Sequence, residues 1–145
     1  MAFQVRDDPV HVCLSAPSEL KGFPAPQNQS RIWRIDRDAR GVNCAKSRKC
    51  QVVVDGRTSI IDLAWHDGTL YAAQIDDASW FALELGQPAG GSVWACKPLT
   101  GACEMVVGRQ PILTAITVRE NGSIWGVINA LIPPLADVVR LRGPQ

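Results

Sequence analysis

No apolar run in the 145-residue sequence approaches the ~20 residues that a membrane-spanning helix needs, so no such span is expected. Net charge is nearly absent too. Fifteen Lys and Arg against fourteen Asp and Glu leave +1, which supplies no field to attract nucleic acid or an acidic membrane surface. Sustained apolar spacing at i, i+3, i+4 and i+7 is missing, which argues against an architecture of amphipathic helices. The first residues, MAFQVRDDPVHV, carry acids early and lack a long apolar core, so no signal peptide is expected there. Ser59, Thr114 and the Gly90-Gly91 step match neither a nucleophile elbow nor a phosphate loop.

What is present points to strands. Apolar residues make up 46% and charged residues 20%, enough to build a core in a chain of one-domain length. Residues 59–75, SIIDLAWHDGTLYAAQI, read as two alternating strands joined at Asp67-Gly68. Asp-Gly suits a type I′ turn, which needs positive φ at both central residues. The design returns at residues 112–128, ILTAITVRENGSIWGVI, turning at Asn121-Gly122. Further strands are expected at RIWRID (31–36), QVVV (51–54, ended by Asp55-Gly56), SVWACK (92–97), EMVV (104–107) and residues 138–141. Residues 76–91 are expected to be a loop with an apolar middle. Residues 130–135 are expected to be another, because Pro133-Pro134 does not fit inside a sheet.

Aligning Cys50 with Cys103 lays CQVVV on CEMVV and the first hairpin on the second, with one residue inserted before the second turn. The unit is four strands in about 50 residues, the size of a β-propeller blade. The fold class read from the sequence is therefore all-β, with antiparallel four-stranded propeller-like blades, about two of them. Residues 1–30 form a strand-bearing irregular arm and residues 31–145 the two-blade repeat domain. Residues 60–65 and 113–118 would be inner strands, and Trp33, Tyr71, Trp94 and Trp125 would pack between blades. One complete blade and parts of two others are fewer than a ring of about four to eight. Either copies assemble or the sheets stay open, and the amino-terminal run is a candidate for the missing strand.

Five cysteines divide into two local pairs, Cys44 with Cys50 and Cys96 with Cys103, leaving Cys13. Disulfides and reduced half-buried thiols both fit the spacing. The intervals do not match zinc knuckles, and only His11 and His66 are available to assist.

The stretches SIIDLAWHDGTLYAAQID, GGSVWACKPLTGACEMVVG, PILTAITVRENGSIWGVIN and ADVVRLRG resemble the ScyD/ScyE family of β-propellers, relatives of NHL-type and SMP-30-type propellers. The likeness covers roughly residues 50–143. It implies a propeller, often exported to an extracellular or periplasmic location, with no defined catalytic set to carry over. Propellers of lactonase type, which this fold resembles, use acids near the channel to hold a metal.

Asp62 is accordingly the candidate ligand or metal residue, set among apolar neighbours in an inner strand. The structural alternative is a carboxylate compensated by backbone amides or an Arg, since buried charge needs a partner. His66 reads as a turn residue, and His11 beside Cys13 lacks a third partner for catalysis. The basic stretch Arg34, Arg37, Arg40, Lys46, Arg48 and Lys49 fits a solvated loop or an anionic partner. Asn28 and Asn121 open glycosylation patterns. The function expected first is a non-catalytic binding or scaffold module without cofactor, joined to a protein partner or to copies of itself. The alternative is a metal-dependent lactonase-like or lyase-like enzyme using a divalent ion such as calcium.

Overall fold

The computed structural model describes the strands Ala2–Gln4 and Val10–Ser15, as backbone, and residues 27–143. Most of the expected irregular arm, residues 16–26, lies outside the described residues. Strand accounts for 48% of the chain and helix for 4%, which makes the fold all-β.

Three antiparallel meanders follow one another along the chain. The first sheet runs β1 (Ala2–Gln4), β2 (Val10–Ser15), β3 (Ser30–Asp36) and β4 (Cys50–Arg57) in spatial order. The second runs β5 (Ile60–His66), β6 (Thr69–Gln74), β7 (Gly91–Cys96) and β8 (Cys103–Gln110). The third has β9 (Ala115–Val118), β10 (Ile124–Ile128) and β11 (Asp137–Leu141). No sheet closes on itself. The expectation of one complete four-stranded unit and parts of two others becomes two four-stranded sheets and a three-stranded one. The difference comes from the amino-terminal run, where β2 pairs with β3 from Val10↔Asp36 to Ser15↔Arg31.

Period-two alternation explains how the sheets meet, because successive side chains leave opposite faces of a strand. In the second sheet Leu63, Leu70, Ala72 and Cys96 point one way and join Ile32, Val53 and Val54 of the first sheet in one core. Ala73, Val93 and Val107 point the other way and join Leu113, Ile116 and Leu141 in a second core. Leu70 and Val93 are at most 1% exposed, and burying a side chain of that size contributes about 1.5–3 kcal/mol. The middle sheet is therefore buried on both faces.

β3/β4 and β7/β8 share one pairing layout. In the first, Ile35↔Cys50, Trp33↔Val52, Ile32↔Val54 and Ser30↔Arg57 are opposed, with shifts in two places. In the second, Cys96↔Cys103, Trp94↔Met105, Val93↔Val107 and Gly91↔Gln110 are opposed, with shifts in the same two places.

Local departures from the expected boundaries have local causes. β4 runs through Asp55-Gly56 instead of ending there, with Gly56 at φ 71° beside a shift in register. The loop over residues 76–91 contains a five-residue helix, α1 (Trp80–Glu84), capped where the Ser79 side chain accepts from Ala82 N at 3.1 Å. At Asp67-Gly68 both residues have positive φ, 45° and 74°, as the type I′ turn requires. At Asn121-Gly122 only the glycine does, at 76°. There Gly122 N donates to Arg119 O at 2.8 Å, so the inserted residue widens the turn into a type I turn with a bulge at the glycine.

Gly91 opens β7 where the chain crosses β6 closely. A Cβ there would lie 2.6 Å from Gln74 O and 2.8 Å from Ile75 O, so backbone must give way. Gly91→Ala is expected to cost about 2–3 kcal/mol, the upper range for overpacking, measured by chemical denaturation. A cost under about 0.5 kcal/mol would show that the crossing can relax.

Candidate functional site

Asp62 sits where β5 departs from regular pairing. Ile60 opposes Gln74 but Asp62 opposes Ala73, so one residue is extra on the β5 side. Bulges of this kind re-aim side chains. Asp62 Oδ1 accepts from Leu63 N at 2.9 Å, and Oδ2 accepts from Ile116 N at 2.8 Å. The second bond crosses from the second sheet to β9 of the third. Burial pushes the carboxyl pKa upward, and the two amide bonds, from Ile116 and Leu63, pull partly back. Of the two readings of Asp62, the geometry contains the amide-compensated one.

A cavity of about 410 Å³ opens beside this carboxyl, lined by Ile61, Asp62, Ile75, Trp80, Thr114 and Leu131 among others. Two loops meet over it. The loop between β6 and β7 contributes Trp80 from α1, and the loop between β10 and β11 contributes Leu131. Eight large apolar side chains are exposed among the described residues, and five of them are in these two loops: Phe81, Leu85, Leu131, Ile132 and Leu135. The cavity wall is thus mostly apolar and holds one carboxyl, and the two loops that contribute to it carry further exposed apolar side chains.

The first of these loops is fixed by buried polar groups. Asp76, 1% exposed, accepts from Ala78 N (2.8 Å) and Ala89 N (3.2 Å) through Oδ1 and from Gly90 N (2.8 Å) through Oδ2. Asp77 Oδ1 accepts from Gln74 Nε2 (2.6 Å) and from Ser92 Oγ. Gln74 Oε1 accepts from Thr58 N at 2.9 Å, and Ser59 Oγ accepts from Trp80 N at 2.9 Å. Trp94 Nε1 donates to Ser92 Oγ at 2.8 Å, and the Arg57 guanidinium lies 4.0 Å above the Trp94 ring. Burial lowers the Arg57 pKa against the pull of Asp77.

The remaining candidates are dispersed. Both cysteine pairs are disulfides, Cys44–Cys50 and Cys96–Cys103. Only the second joins directly opposed strand residues; Cys50 faces Ile35, and its bridge closes the loop after β3 instead. His66 ends β5 opposite Thr69, at the other end of the strand from the Asp62 bulge. Of His11 and Cys13 only the backbone register is described, opposite Ile35 and Trp33. Thr114 reaches the cavity, and its Oγ1 donates to Val127 O at 3.4 Å. Several members of the basic stretch are engaged locally: Lys49 pairs with Asp38 at 3.0 Å, and Arg34 donates to Gln51 at 2.9 Å. Arg40 donates to the carbonyls of Arg37 and Ala39. Among the described residues no three His, Cys, Asp or Glu side chains form a metal-binding group.

Asp76, Asp77, Trp80 and Leu131 were not singled out in the sequence. The available signal was Asp-Asp directly after a strand, since such side chains accept from amides further along a turn.

The pKa of Asp62 has a testable sign. Raised in the folded state, it keeps a proton that the unfolded chain releases near its ordinary value of about 3.9. The resulting stabilisation is full below that value and is lost as pH rises through the folded-state pKa. Asp62→Asn removes the titration, so wild-type stability relative to D62N should fall as pH rises from about 3.9 toward neutrality. Urea denaturation of both proteins across that range checks this, and a flat or rising difference would contradict it.

No protein-family model matches the chain, and no curated protein matches it.

Proposed function

We propose that the chain is a non-catalytic binding module of propeller-type blades, taking a protein partner on the loop face around the Asp62 cavity. The observation that carries this is the gathering of Phe81, Leu85, Leu131, Ile132 and Leu135 on the two loops that line the cavity. Loops that carry this many exposed apolar side chains are suited to desolvation by a partner. The cavity takes an apolar anchor, and Asp62, at its wall, is the group to meet a donor beside that anchor.

The blade reading rests on the shared register of β3/β4 and β7/β8 and on three successive meanders packed face to face through two cores. The same strand order underlies the kinship to ScyD/ScyE-like, NHL-related propellers that we propose. Two disulfides favour an oxidising compartment, extracellular or periplasmic.

The partner reading predicts that a displayed peptide library selected on the protein yields sequences sharing a bulky apolar or aromatic anchor. Leu131→Asp should weaken those peptides at least about tenfold with an unchanged far-ultraviolet spectrum. Peptides without a common anchor, or indifferent to L131D, would argue against this surface.

The second reading, a metal-dependent lactonase-like or lyase-like enzyme, rests on the carboxyl at the cavity wall. Both its oxygens accept amide protons, and burial favours its neutral form, whereas a divalent cation requires the ionised one. Dialysed protein heated with about 5 mM calcium should therefore show no rise in Tm. A rise of several degrees, lost in D62N, would favour the metal reading, because a bound ligand stabilises the folded state by mass action.

A further inference from the structure

We infer that the outer face of the third sheet, carrying Trp125, Val127 and Val138, seats the first sheet of a second copy, so that two copies close head to tail into a ring of six sheets. This rests on the blade reading above.

The argument is one of register. In the second sheet Leu70 opposes Cys96, and both point into the core shared with the preceding sheet. In the third sheet Ile124 opposes Leu141, and both pack in the core shared with its own preceding sheet. These two pairs are therefore equivalent. Three residues along, Ala73 opposes Val93 in the second sheet and Val127 opposes Val138 in the third. Ala73 and Val93 are both 0% exposed, because the third sheet covers them. Their counterpart Val138 is 63% exposed. Tyr71, packed against the second core, has Trp125 as its counterpart. The third sheet thus repeats on its outer face the aromatic residue and the aliphatic pair with which the second sheet meets a following sheet, while Thr117 and Arg140 stand opposite Trp125 where Ala64 and Ala95 stand opposite Tyr71.

What such a face fits is the preceding face of a blade. In a second copy that is the outer face of the first sheet, on the opposite side of β3 from the buried Ile32. It carries Trp33, which occupies the register position of Trp94. Trp94 in turn faces the first sheet across the first core. The indole Nε1 atoms of Trp33 and Trp125 are both buried without a hydrogen-bond partner among the described residues.

The inter-copy contact also lacks the hydrogen bond to a carboxyl that joins the second sheet to the third. Asp62, which ties the second sheet to the third, opposes Ala73; its counterpart opposite Val127 is Ala115. Alanine has no acceptor to extend, so this face lacks the carboxyl tie and presents the exposed Thr117 and Arg140 around its apolar side chains. A head-to-tail contact either closes or propagates. With the three described sheets in each copy, two copies reach six, inside the range of about four to eight that propellers use.

Light scattering on the intact chain at about 100 µM should give twice the mass of one chain. Val138→Arg on one face and Ile35→Arg on the other should each give single-chain mass with an unchanged far-ultraviolet spectrum. Mixing the two variants restores one intact contact and should recover part of the double mass. Should V138R misfold, Thr117→Arg, opposite Trp125 and exposed, replaces it. Single-chain mass for the wild type overturns the assembly. Larger species overturn the two-copy closure. Disruption by V138R but not by I35R overturns head-to-tail pairing in favour of like faces meeting. The blade reading has its own arm. A crystal structure whose three sheets are not related by successive similar rotations defeats it whatever the mass, and one whose sheets are so related leaves it standing even for a monomer.

Discussion

The middle sheet packs a core against each of its two faces, and the described fold is arranged around that constraint. Its strands β5 and β6 must therefore be largely apolar on both sides, which is why IIDLAW and TLYAA carry apolar residues in succession where a half-exposed strand would alternate. Two neighbouring sheets are then obligatory, because neither core can be formed by one sheet alone. Asp62, a carboxyl inserted into this arrangement, is tolerated because both its oxygens find backbone amides, one of them on the neighbouring sheet. A carboxyl in that position without such partners would cost more than the packing around it returns.

The loops between strands divide by role. The tight turns at Asp67-Gly68 and Arg119–Gly122 only reverse the chain. The long connections, residues 75–90 and 129–136, meet at the Asp62 cavity and hold most of the exposed large apolar side chains among the described residues. Recognition on such a scaffold belongs on loops positioned by rigid sheets. The two cores supply the rigidity, and the carboxylates of Asp76 and Asp77 carry it into the first loop.

Much of this architecture is legible in the sequence because it is local. Asp67-Gly68 sets a turn through backbone preference, and alternation in RIWRID and SVWACK marks strands without reference to anything distant. The sequence also says that Asp62 needs compensation. It does not say by what, since the partner amide lies 54 residues away and is set by how two sheets meet. α1 escapes detection for a different reason: five residues are too few to display a 3.6-residue period. Its cap at Ser79 is an ordinary serine until the chain folds around it. The meeting of Leu131 with Trp80 at one cavity is equally invisible, as residues 129–136 read simply as a proline-interrupted loop.

Asp76 has a consequence for how fast and how cheaply the loop face can engage a ligand. Three amide protons, of Ala78, Ala89 and Gly90, converge on one buried carboxylate, so the loop is held at both its start and its end. A surface frozen before encounter surrenders little conformational freedom on docking. A partner taken at this face, as proposed, would then associate at a rate set by diffusion and orientation, and the lifetime of the complex, rather than a folding step, would set its affinity.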